Sequence, residues 1–108
     1  MIYEVVITDP ALDDIAGIVS YIWDLTGNQR TAEGYMYGIL ETAKSLEEMP
    51  YRFEMAKGPE LAELWIRKAY YEDYTIGYGV DDDASEVIVY RVIYSKSDIS
   101  RRFFEKGL

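Results

Sequence analysis

Arg91 stands in the middle of Val89-Tyr90-Arg91-Val92-Ile93-Tyr94, an apolar run that reads as a buried strand, and the chain leaves that run through Tyr94, Lys96 and Asp98. An unpaired charge buried in such a run costs several kcal/mol in practice, so Arg91 must find a partner, reach water or do chemistry. Its functional role would be to bind a phosphate or a partner's anion. Its architectural role would be a fixed ion pair with Asp98 or a helix carboxylate, and the burial cost favours that second role. Tyr94 could act as a general acid or base, or as a platform for a stacked base; with 11 tyrosines in the chain, a half-buried sheet tyrosine is the simpler reading. The sequence holds no cysteine and no histidine, which removes thiol and imidazole catalysis, disulfides and the usual zinc sites. Any reaction would have to use Lys, Arg, Tyr, Ser, Thr or a carboxylate. The run Asp81-Asp82-Asp83 lacks the ligand spacing of a calcium loop and reads as a solvated turn, so no metal or other cofactor is expected.

The elements that would position these residues follow from the periodicity. Ile2 to Thr8 reads as a strand, ended by Asp9 as a helix cap with Pro10 in the first helical position. Leu12, Ile15, Val19 and Ile22 then form an apolar stripe, with Asp13, Asp14 and Asp24 on the wet side, until Gly27-Asn28 stops the helix. A second helix is expected from Gln29 to Glu48 on the stripe Ala32, Tyr35, Ile39, Ala43 and Leu46. Gly34 and Gly38 leave a bare patch in it for the first helix to approach. After a loop from Met49-Pro50 to Glu63, three strand-like runs cover Leu64 to Tyr71, Tyr74 to Val80 and Glu86 to Tyr94, and Asp98 caps a final helix. The order β-α-α-β-β-β-α predicts an α+β fold: a small, mainly antiparallel sheet with an α-helical hairpin on one face.

Alternation within the strands places the charges. Arg67 and Lys68 are neighbours in sequence and so point to opposite faces. Thr75, Gly77 and Gly79 share a nearly bare face, suited either to a partner's backbone or to a close sheet-to-helix approach. In the last strand, regular alternation would put Val87, Val89, Arg91 and Ile93 together.

A chain of 108 residues, 49% hydrophobic, is enough for one domain, residues 1–108, with its own core. No apolar stretch approaches the roughly 20 residues of a membrane span, and the start carries no positively charged leader, so a cytoplasmic protein without membrane partners is expected. A net charge of −9 argues against indiscriminate nucleic-acid binding. The charge is uneven, however: residues 91–106 carry +3 and the remainder −12.

The whole pattern resembles the RelE/ParE superfamily of toxins from type II toxin-antitoxin modules, often called plasmid stabilisation proteins. The resemblance rests on Thr8-Asp9-Pro10-Ala11, Asp13-Asp14-Ile15, Tyr21-Ile22, and the stretch from Ser45-Leu46 to Met49-Pro50. In the second half it rests on Ile66-Arg67, Tyr74-Thr75-Ile76-Gly77-Tyr78 and Val89-Tyr90-Arg91-Val92-Ile93-Tyr94. It implies growth inhibition, through DNA gyrase for ParE-type members or through messenger-RNA cleavage on the ribosome for RelE-type members, and a small antitoxin as partner. Cleavage, in which the RNA 2′-hydroxyl attacks the adjacent phosphate, needs cations for the developing charge and a group to move protons. The resemblance assigns those duties to Arg67, Lys68, Tyr94 and Lys96. Arg91, Gly77, Gly79, Arg101, Arg102 and Lys106 would meet a partner. Where nucleases of the family carry an arginine after the first tyrosine of the third strand, this chain has Thr75, and with no histidine either, a ribosome-dependent endoribonuclease is disfavoured. The alternative is a catalytically silent module that binds an antitoxin-like peptide or itself.

Overall fold

The computed structural model describes residues 2–106. Its elements are β1 (Glu4–Ile7), α1 (Asp9–Thr26), α2 (Gln29–Lys44), α3 (Pro59–Glu63), β2 (Arg67–Tyr71), β3 (Tyr74–Asp81), β4 (Glu86–Tyr94) and α4 (Ile99–Phe103), with 3-10 turns at Ser45–Glu47 and Pro50–Arg52. The strands form one sheet in the order β1-β4-β3-β2, parallel between β1 and β4 and antiparallel elsewhere. The fold is α+β, with the α1–α2 hairpin on one face, as the periodicity predicts.

The departures are local, and each has a physical reason. Thr8, not Asp9, caps α1: its hydroxyl accepts the Ala11 N–H at 3.2 Å, and Asp9 already lies in the first turn, where its charge suits the helix N-terminus. The buried stripe of α1 is Ala11, Ile15, Ile18 and Ile22, while Leu12 is 48% exposed. The stripe is thus turned toward Asp14, one helical turn before Ile18. In α2 the expected stripe is buried at Ala32, Ile39, Ala43 and, just past the helix, Leu46. The gap at Gly38 is filled by β2 rather than by α1: a Cβ there would overlap the ring of Tyr71, whose hydroxyl donates to the Gly34 carbonyl at 3.4 Å. β2 begins at Arg67, not Leu64, because Leu64 and Trp65 form the turn leaving α3.

The last strand is not regular. Gly77 pairs with Arg91 but Tyr78 pairs with Val89, so Tyr90 is an extra residue in β4, a β-bulge. The alternation flips there. Val87 and Val89 face the hairpin with Tyr78, as does Val92 beyond the bulge, whereas Arg91 and Ile93 face away from it, beside Gly77 and Thr75. The Tyr90 carbonyl accepts the Thr8 hydroxyl at 3.0 Å, which ties the bulge to the start of α1. The main core lies between the sheet and the hairpin. A second one, built from Ala56, Leu61, Ile66, Ile93 and Phe103, packs α3 and α4 against the other face.

Candidate functional site

Arg91 is 1% exposed and its guanidinium is fully engaged inside the protein. Nε donates to Asp14 Oδ2 at 2.7 Å and Nη2 to Asp14 Oδ1 at 2.9 Å, a bidentate pair across α1 and β4. Nη1 donates to the carbonyls of Arg102 and Phe103, at the end of α4. Asp14 also accepts the Val92 N–H at 2.9 Å and the Lys106 ammonium at 3.2 Å. Arg91 is therefore in an ion pair with a helix carboxylate, and Asp14, expected on the wet side of its helix, is almost wholly buried. Asp98, the other candidate partner for Arg91, instead caps α4 by accepting the Arg101 N–H. The cluster joins α1, β4 and α4 at one end of the sheet.

Phe103 completes that joint. A Cβ at Gly77 would lie 2.8 Å from its ring, so the bare face of β3 is the seat of the chain's own C-terminal helix. Over Gly79 the occupant is the ring of Tyr90, 3.2 Å from where a Cβ would stand. Both glycines serve close internal packing here, and Arg91, at 1% exposure, has no surface to offer a partner.

The residues assigned to catalysis are not brought together. Arg67 sits opposite Tyr78 on the hairpin side and donates to the Phe53 carbonyl at 2.7 Å, with its guanidinium over the ring of Tyr51. Lys68 faces the other side, 4.0 Å from Glu54. Tyr94 pairs with Tyr74, four residues along β3 from Tyr78, so it lies about 13 Å from Arg67 along the sheet and two strands across it. Lys96 is exposed in the turn beyond. Thr75, where an arginine would serve a nuclease, is buried and its hydroxyl bonds that of Ser95 at 2.8 Å. The basic island is also partly neutralised: Arg102 pairs with Glu105 at 3.1 Å and Lys106 with Asp14, leaving Lys96 and Arg101 as its cations without a carboxylate among the described residues.

What the end of the sheet does offer is a groove of about 960 Å³ between α1, the paired ends of β3 and β4, and α4. Gly17, Tyr21 and Leu25 form its α1 wall, Tyr74 and Tyr94 its floor, and Asp14 and Lys106 one end. Tyr21 and Leu25 are exposed, and Gly17 has nothing within 4 Å of its missing Cβ among the described residues. The Tyr74 phenol is pushed up from its ordinary value by burial, so it is a neutral apolar surface at neutral pH rather than a base. An apolar, aromatic channel with charged ends suits a helix or strand of another protein better than a small substrate. Sequence reasoning missed Asp14, although the positions of Ala11, Ile15 and Ile18 already place residue 14 beside the buried stripe.

The sequence matches the family model described as ParE toxin of type II toxin-antitoxin system, parDE, over residues 5–99. The chain belongs to the ParE toxin family. Among solved structures, it is similar to a chain of the RelBE2 toxin-antitoxin complex from Mycobacterium tuberculosis, at 23% identity and a TM-score of 0.62, covering 87% of this chain and 99% of that one. It is also similar to a chain of the chromosomal ParDE system from P. aeruginosa, at 17% identity and a TM-score of 0.72, covering 88% of this chain and 98% of that one. At these identities the two structures speak for the ParE-like fold alone. No curated protein matches the sequence. Among the described residues of this ParE-family chain, no helix is long and apolar enough to cross a membrane.

Proposed function

We propose that this ParE-family chain is a single cytoplasmic toxin domain that inhibits growth through DNA gyrase, and that a small antitoxin neutralises it by filling the groove beside α1. The observation that carries gyrase over messenger-RNA cleavage is the scattering of Arg67, Lys68, Tyr94 and Lys96. Arg67 and Lys68 lie on opposite faces, Tyr94 is about 13 Å further along the sheet, and Thr75 is buried. Transition-state stabilisation of a phosphorane needs cations and a proton carrier converging on one atom, and nothing in that set converges. A gyrase inhibitor needs only a binding surface.

The test is inducible expression, followed by supercoiling assays with purified gyrase and toeprinting on translating ribosomes. Growth arrest with loss of supercoiling, and no A-site cuts at the same protein concentration, is the expected result. Strong A-site cuts with supercoiling untouched would reverse the assignment. The internal pairing of Arg91, Arg102 and Lys106 favours a second reading, a non-toxic interaction module, and normal growth at high soluble levels would establish it in place of the toxin.

A further inference from the structure

On the sheet face opposite the hairpin, toward the turn between β3 and β4, two departures from regular backbone meet around one depression of about 360 Å³. Trp65 has a left-handed backbone, φ 57°, a conformation that costs a bulky residue about 1–2 kcal/mol, and yet its indole is 74% exposed. Hydrogen bonds hold it on both sides: Trp65 N–H to the Ala62 carbonyl at 3.0 Å, and Ile66 N–H to the Leu61 carbonyl at 3.1 Å. Tyr90, the bulged residue of β4, lays its ring over Gly79, which has no side chain to lift it. Leu64, 52% exposed, and Ile88 extend the apolar lining. An indole held at that cost and left in water adds nothing to the core.

The rim is acidic. Asp81, Asp82 and Asp83 edge the depression, and none has a cation within salt-bridge distance among the described residues. Asp82 is occupied by the hydroxyls of Tyr3 and Tyr51, at 2.7 and 2.5 Å, and Asp81 accepts the Ala84 N–H. Asp83 makes no such bond among the described residues. Lys68, on the same face, turns instead to Glu54 and the ring of Tyr70.

We propose that this depression is a second protein-docking surface, separate from the groove beside α1, and that it takes an extended segment carrying arginine or lysine beside an apolar side chain. The cation would lie over the faces of Trp65 and Tyr90 with Asp83 beside it, and the apolar neighbour would rest on Leu64 and Ile88. Indole is the strongest of the aromatic cation acceptors, and an uncompensated carboxylate next to it selects a positive partner. Aromatic side chains and arginine are enriched where protein surfaces meet, and here the aromatic half of such a pair stands exposed beside the carboxylate. The inference holds whether or not the chain is toxic.

The probe is a short peptide alternating arginine and leucine, with the glutamate-leucine version as control. In a Trp23→Phe chain, Trp65 is the sole indole, and its emission should shift to the blue and saturate with the arginine peptide only. Calorimetry should show Kd rising about tenfold in Trp65→Ala, whose side chain is exposed and leaves the core intact, and severalfold in Asp83→Asn. Equal binding of the two peptides, binding that survives Trp65→Ala, or no change in emission would overturn the proposal. So would burial of Trp65 by self-association of the chain without peptide.

Discussion

At the scale of single residues, the molecule turns on the pair Asp14–Arg91. Both side chains are almost wholly removed from water, and their separation in sequence makes them a staple between α1 and β4 that also holds α4 by two carbonyls. Removing one member of a buried pair leaves the other charged and uncompensated, at about 3–5 kcal/mol, a large part of a small domain's whole stability. Asp14→Ala should therefore shift the urea midpoint far down or abolish folding. Asp14→Asn, which keeps an acceptor for Val92 N–H, should cost measurably less. Equal losses for the two, or a negligible loss for Asp14→Ala, would show that the pair does not carry this joint. The same geometry explains why an arginine is tolerated in an apolar strand: both oxygens of Asp14 and all three guanidinium nitrogens of Arg91 have partners, so the burial penalty is offset locally.

At the scale of elements, two glycines in one helix make opposite predictions. At Gly34 an added methyl would meet nothing within 4 Å among the described residues, whereas at Gly38 the ring of Tyr71 already occupies the space. Alanine in place of helical glycine stabilises by about 0.5–1 kcal/mol when there is room, and overpacking costs about 1–3 kcal/mol when there is not. Thermal unfolding should thus rank Gly34→Ala above the parent chain and Gly38→Ala below it; a stabilising Gly38→Ala would place Tyr71 elsewhere. This contrast also shows what is legible in the sequence. Element order, the hairpin and the stripe of α2 follow from periodicity, because each is a local property of spacing. The occupant of the Gly38 gap is not local: only the register of β2 brings Tyr71 there. The β4 bulge is hidden for a related reason, since an extra residue in a strand is defined by its partner strand, and it puts Arg91 on the face opposite Val87 and Val89. Trp65 reads as strand in the sequence because an exposed tryptophan in a left-handed turn has no periodic signature. The candidate site is the least legible part, since Asp14 and the groove come together only once α1, β4 and α4 are assembled.

At the scale of the whole molecule, charge constrains what an antitoxin must look like. The net charge is −9, and of the basic residues after β4 only Lys96 and Arg101 lack a carboxylate partner among the described residues. A wholly acidic binding segment would meet repulsion over most of its path. At physiological ionic strength the screening length is about 8 Å, so the field steers encounter over short range, while apolar anchors in the α1 groove supply most of the affinity. The partner that follows from the proposed function is a segment of apolar anchors interspersed with lysine or arginine. Its association rate, measured by stopped flow on the co-purified pair, should fall roughly tenfold or more as salt is raised from low to physiological strength, with a dissociation rate that changes little. Neutralising Lys96 and Arg101 to glutamine should leave that rate unchanged or raise it, because it removes local repulsion of a cationic segment. A strongly acidic antitoxin segment whose rapid association collapses with salt, and slows further in the Lys96→Gln, Arg101→Gln chain, would show that those two cations outweigh the acidic remainder.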